Sequence, residues 1–257
     1  MVTGYPIGGK PKSQQICLDF VRSCGGQVAG ELRDGPAFFY GVVAGANKDI
    51  FDAARARAAA GGAPIYYCDN SYFDAERQQS FRITRNRLQH TGIGISTCER
   101  FDRLAIDIQP WRDVGQHIVV CPQSDPFMRD VVGYPGDWLA DVTAELNLLT
   151  QRPLRIRHWN RDKGALAATL GQDLAGAHAL VTWSSAAAVT AILAGIPAFV
   201  MSPDCAAAPM SAGPLSQINS PLKPTGRRDW AGVLADNEWS ISEIRDGTAW
   251  RMLNAQE

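Results

Sequence analysis

The chain has 257 residues, 46% of them hydrophobic and 20% charged, and a formal net charge of −1. That length supports one large or two small α/β domains. The lack of an apolar run of about 18 residues excludes a membrane-spanning helix, and the near-neutral charge excludes nucleic-acid binding by bulk charge but not by a local basic stripe.

The six cysteines (Cys17, Cys24, Cys68, Cys98, Cys121, Cys205) form no C-x-x-C pair. They predict reduced, buried thiols, a cytoplasmic location and no structural zinc. Met1-Val2-Thr3-Gly4-Tyr5 lacks the basic start and apolar core of a signal peptide. Met1-Val2-Thr3 reads as the stub of a first strand, and the glycine-rich connection from Gly4 to Lys12 leads into a helix over Gln15–Ser23 that stops at Gly25-Gly26. Apolar runs at 37–43 and 64–68, separated by the alanine-rich stretch 49–60, predict strand, helix, strand. The alternation in Ser80-Phe81-Arg82-Ile83-Thr84-Arg85-Asn86-Arg87-Leu88 predicts a half-exposed strand or extended loop.

A second unit starts near Gly115. Ile118-Val119-Val120-Cys121 reads as a buried strand. Asp137 caps a helix whose apolar face is Trp138, Leu139, Val142, Leu146 and Leu149, and Leu154-Arg155-Ile156-Arg157 is the next strand. A helix over 164–174, a strand over 179–183, a small-residue helix stopped by Gly195 and a strand over 198–201 complete a Rossmann-like βαβαβ series. Two short helices follow, at 229–235 and 240–253, the second opened by the capping-box spacing Ser240 to Glu243. The expected fold is α/β, with a Rossmann-like unit over 1–114, a nucleotide-binding Rossmann-like unit over 115–228, and C-terminal helices over 229–257 packing back across the cleft.

Ligands of open α/β sheets bind beyond the carboxyl ends of the strands. There the second unit carries Ser124, then Arg155, Arg157, His158 and Lys163, then Ser184 and Ser185. Hydroxyls at a helix start together with several cations suit a diphosphate. Ser184 and Ser185 as plain helix caps, and the cations as a solvated edge, are the competing structural readings. Neither G-x-G-x-x-G nor G-x-x-x-x-G-K-[ST] occurs, which argues against a dinucleotide dehydrogenase or a P-loop enzyme. No Asp-x-Asp occurs either, so a metal-free donor site without a bound cofactor is expected. His178 reads as structural.

In the first unit Asp69 ends a strand beside Asn70, Ser71, Tyr72 and Phe73, where a carboxylate can take a proton from an acceptor hydroxyl or simply cap a turn. Arg77, Arg82, Arg85 and Arg87 follow without an intervening acid. Such a stripe can grip a phosphate backbone, or it can be a plain basic face.

These pieces resemble a known family. The runs Val119 to Ser124, Ala179 to Met201, Pro214 to Ile218 and Trp230 to Leu253 are similar to GT-B-type glycosyltransferases, in particular bacteriophage enzymes that glycosylate hydroxymethylated pyrimidines of DNA. Asp69-Asn70-Ser71-Tyr72-Phe73 with Arg82-Ile83-Thr84 also resembles an N-terminal motif of that group. More distantly, the serine turn and Gly195-Ile196-Pro197 are similar to capsule polysaccharide transferases. The resemblance implies two facing Rossmann-like units and transfer from a nucleotide sugar, such as UDP-glucose, to the hydroxyl of 5-hydroxymethylcytosine in DNA. Asp69 would then be the base and Ser124, Arg155, Arg157, His158, Lys163, Ser184 and Ser185 the donor site. Tyr72, Phe73, Arg82, Arg85 and Arg87 would meet the acceptor, a ring filling the gap left by a flipped base. Where the relatives carry a lysine-rich run, this chain has Arg157-His158-Trp159-Asn160, which leaves the donor's identity open. A transferase acting on surface polysaccharide, and a nucleotide-binding module without activity, are the alternatives.

Overall fold

The computed structural model describes residues 1–7, 11–41, 46–73, 79–158 and 169–255. They form two compact units, Met1–His90 with Ala235–Glu257, and Thr91–Leu234. These bounds differ from the expected segments. Residues 91–114 group with the second unit because Gln109 N–H donates to the Leu193 carbonyl (2.8 Å) and Arg112 N–H to that of Gly195 (2.7 Å), while the Arg112 guanidinium caps the Leu174 and Ala177 carbonyls. Residues 235–257 group with the first.

In chain order the first unit opens with β1 (Thr3–Gly4), α1 (Pro11–Ser23), β2 (Gln27–Val28), β3 (Ala37–Tyr40), α2 (Ala46–Ala59), β4 (Ile65–Asn70) and β5 (Ser80–Arg85). The second unit follows with α3 (Glu99–Arg103), β6 (His117–Cys121), α4 (Asp125–Phe127), α5 (Trp138–Leu149), β7 (Leu154–Ile156), α6 (Leu170–Leu174), β8 (Ala177–Thr182), α7 (Ala187–Leu193), β9 (Ala198–Val200) and most of α8 (Arg227–Asp236). The chain then returns to the first unit as β10 (Glu238–Ser240), α9 (Ile241–Arg245) and α10 (Thr248–Ala255).

The first sheet has the order β10-β5-β4-β3-β1-β2 and the second β7-β6-β8-β9. In both, the four parallel strands run second, first, third, fourth, so the chain winds one way and then the other from a central first strand. Such an order creates a switch point beyond the carboxyl ends of the first and third strands. These are β1 and β3 in one unit, β6 and β8 in the other.

Side chains alternate between the two faces of the first sheet, as a pleated strand requires. Phe38, Tyr66, Cys68, Phe81, Ile83 and Trp239 pack with α1 and α10 on one face, while Phe39, Ile65 and Tyr67 pack with Phe51 of α2 on the other. The expectation of a half-exposed strand at 80–88 is corrected here. β5 lies between β4 and β10, both antiparallel to it, and Phe81, Arg82, Ile83 and Thr84 are all buried. In the second unit Ile118, Val120, Ala179, Val181 and Phe199 meet Trp138, Val142 and Leu146, the apolar face expected of α5.

Local signals are realised closely. Asp137 accepts from Ala140 N–H (3.0 Å), Ser240 and Glu243 form the capping box, and Gly195 takes φ 74° just after α7, where an added Cβ would lie 2.0 Å from the Pro110 oxygen. The single helix expected over 240–253 is two, α9 and α10, broken at Gly247 with φ 80°. Of the helix expected over 164–174, Leu170–Leu174 is observed, capped by Thr169, and 164–168 lie outside the described residues. All six cysteines are free thiols and all but Cys24 are buried.

His178 is structural, as expected. It is 4% exposed, and its Nε2–H donates to the Ile218 carbonyl at 2.8 Å. Burial lowers its pKa, against the hydrogen bond to Ile218, with Arg152 and Lys223 adding to the burial effect. The folded unit therefore holds the neutral ring, whereas the unfolded chain takes up a proton near pH ~6.5. Stability present above about that pH is lost as pH falls below it. The drop in melting temperature between about pH 7.5 and pH 5.5 is expected to be smaller in His178→Gln than in the parent; equal drops would assign the acid sensitivity to other groups.

Candidate functional site

At the second unit's switch point the ends of β6 and β8 are tied by side chains. Thr182 donates its hydroxyl to the Cys121 carbonyl (2.6 Å) and accepts the Ser185 N–H (3.2 Å), and Gln123 Nε2 donates to Ser184 Oγ (2.9 Å). Ser184 is buried. Ser185 Oγ accepts the Ala187 N–H (3.2 Å), so its hydroxyl serves the first turn of α7, and Ser124 Oγ accepts the Phe127 N–H (3.4 Å) at the start of α4. The Ser124 and Ser185 hydroxyls each accept a backbone N–H through an oxygen lone pair and keep a proton that can be donated. Burial pushes the Cys121 thiol up to about 12 against the pull of Arg157, so it stays a neutral wall.

The cations expected around this rim differ in their surroundings. Arg155 and His158 are exposed. Arg157 is half-buried and ion-paired with Asp173 on α6, so its charge is already met within the fold. Lys163 lies outside the described residues. Gln123, Thr182 and Asp173 were not singled out by the sequence, although Gln123 stands in the strand-end run that was. Among the described residues no group of three or more His, Cys, Asp or Glu is arranged to hold a metal ion.

In the first unit Asp69 is the last residue but one of β4, with its side chain 26% exposed. Its Oδ2 accepts from Arg82 at 2.6 Å and its Oδ1 from the Asn70 N–H at 2.8 Å. A carboxylate has about four acceptor positions, so both oxygens retain capacity for a substrate proton. Arg82, 6% exposed, also donates to the Asn70 carbonyl (2.7 Å) and lies over the Tyr72 ring, 4.6 Å from its centroid. Burial works against the Arg82 charge, but Asp69, Tyr72, Tyr67 and Glu238 outweigh it and hold the guanidinium more firmly protonated than usual.

Lys12, at the start of α1, reaches the same strand ends. Its Nζ and the Tyr40 hydroxyl each donate to Asn70 Oδ1 at 3.3 Å, and Nζ lies 4.7 Å from the Phe81 ring centroid. Burial lowers the lysine's pKa, with Cys68 and Asp69 opposing. A glycine-rich connection running into a helix was the signal that could have found it.

The arginine stripe is corrected. Arg82 is buried and bonded, Arg85 is half-buried at the end of β5, and Arg87 is exposed beyond Asn86, which takes φ 58°. Side chains alternate along a strand, so residues three apart face opposite ways, and Asn86 then turns the chain. Arg77 lies outside the described residues. Tyr72 is 6% exposed and held between Arg82 and Phe73, so it is not available to fill a gap in a duplex, whereas Phe73 is half-buried.

Two doubly wound units, with polar groups gathered beyond the strand ends of each, give this chain a Rossmann-like α/β fold in two units. The solved structure of KpsC from Thermosulfurimonas dismutans, a beta Kdo 2,7 transferase, is similar with a TM-score of 0.51 and 10% sequence identity, covering 100% of this chain and 99% of that one. No protein-family model and no curated protein matches the sequence. At that identity the likeness establishes the fold. Among the described residues no helix is long and apolar enough to cross a membrane.

Proposed function

We propose that this chain is a glycosyltransferase that moves a sugar from a nucleotide sugar to a hydroxyl of a glycan acceptor. The observation that carries the reading is the end-to-end likeness to a two-domain transferase, with the polar end of each sheet at the position where such folds bind ligands. In the second unit the hydroxyls of Ser124, Ser184 and Ser185 and the amide of Gln123 offer neutral donors to the donor's phosphates. In the first, Asp69 takes the proton of the acceptor hydroxyl as its oxygen bonds to the anomeric carbon and the nucleotide departs as an anion. Phosphate binding by such donors needs no metal ion in the site.

A glycan acceptor is favoured over hydroxymethylcytosine in DNA. The DNA reading rests on a resemblance in short motifs and on a row of arginines, and Arg82 is spent within the fold. The similar transferase is moreover named for Kdo, a sugar. The test is a screen of uridine- and cytidine-linked sugars, in chelator, against glycan acceptors and hydroxymethylated DNA. Transfer to a glycan alone is expected. Transfer to DNA alone would restore the DNA reading, an absolute need for a divalent cation would remove metal independence, and nucleotide binding without turnover on any acceptor would leave a non-catalytic module.

A further inference from the structure

Three charged residues stand in one cross-strand row of the first sheet. Asp69 on β4 is in register with Arg82 on β5, and Arg82 with Glu238 on β10. Directly opposed residues of antiparallel strands project to the same face, so an acid, a base and an acid lie side by side, the outer two about 10 Å apart across two strand spacings. Glu238 is 6% exposed. It accepts the Ser71 hydroxyl on one oxygen and the Tyr72 backbone N–H on the other. Ser71 and Tyr72 are the first residues beyond β4, so the turn following Asp69 hangs from a carboxylate 167 residues later in the chain. The ring of Tyr72 lies beneath the guanidinium that grips Asp69 Oδ2 and the Asn70 carbonyl. An edge strand needs no buried acid for stability, because an apolar side chain of similar volume usually serves as well or better. What a buried acid adds is one fixed arrangement of its donors.

We propose that Glu238 is a positioning residue: by holding Ser71 and Tyr72 it fixes the aromatic face on which Arg82 lies, and through Arg82 the orientation of Asp69. The proposal rests on the reading of Asp69 as the base. Glu238 is buried and acts through the turn it holds, so its loss is expected to act on the reacting geometry and not on substrate affinity.

Glu238→Gln in the full chain keeps shape and removes charge and one acceptor. Amide exchange at Tyr72 is expected to quicken by about tenfold or more. Turnover should fall by about tenfold to a hundredfold, the scale of a misplaced catalytic group, while KM for the donor stays within about twofold. Glu238→Asp, which keeps the charge, should retain more turnover than Glu238→Gln. If Glu238→Gln does not fold, Ser71→Ala removes one donor and leaves the carboxylate, and a fall in kcat at constant KM is again expected. Parental exchange at Tyr72, or a rise in KM at unchanged kcat, would overturn the proposal. The exchange measurement needs no turnover, so should Asp69→Asn keep parental activity and the base reading fall, Tyr72 still reports whether Glu238 holds the turn.

Discussion

Replacing Arg82 by methionine is expected to destabilise the first unit by about 3–5 kcal/mol, the scale for removing one partner of a buried ion pair. The Arg82 side chain is 8% exposed against Asp69 at 2.6 Å, with Glu238 on its other flank. Methionine fills the volume but leaves two carboxylates flanking an apolar gap, one of them, Glu238, buried. Urea unfolding of the variant measures the loss. Adding Asp69→Asn should recover part of it, because the uncompensated charge is then gone, and the two changes will not add. A loss below about 1 kcal/mol would mean that water reaches the pair and that it behaves as a surface bridge.

Asp69→Asn has the largest expected effect on activity, a fall in turnover of about 10² to 10⁴. Asparagine keeps an oxygen for the Asn70 amide or for Arg82, so the turn is retained while basicity is lost. Steady-state kinetics on the glycan acceptor identified by the screen, with circular dichroism to confirm folding, reads the result. A decrease smaller than about tenfold would make Asp69 a turn residue and send the search for the base to Lys12 or Tyr40, which meet Asn70 at the same strand ends.

What could be read in the sequence was what short range decides. The caps at Asp137 and Ser240, the stop at Gly195 and the apolar face of α5 each depend on a few neighbours along the chain, and each is present. The repeated α/β architecture was legible for the same reason. Partners distant in sequence were not. Alternation in 80–85 identifies a strand but cannot say that β10 will cover its second edge, and that covering is what buries Arg82. Arg157 read as an available cation because Asp173 lies on a separate element. Ser124 was legible as a strand-end hydroxyl but not as the cap of α4, whereas for Ser185 a bond to the start of the following helix was one of the two readings the sequence left open.

The place of β10 bears on how the chain can fold as it is made. The second unit is one uninterrupted stretch, Thr91–Leu234, and has all its strands once that stretch has left the ribosome. The first unit has emerged almost wholly by then, yet β5 still presents a bare row of backbone donors and acceptors, and Arg82 still lacks the second of its two acids. An unpaired strand edge is where chains join one another by mistake, and domains usually complete in order of synthesis. Here the N-terminal sheet lacks the three residues of its last strand until an entire unit has been made, and the edge of β5 has no strand partner for that interval.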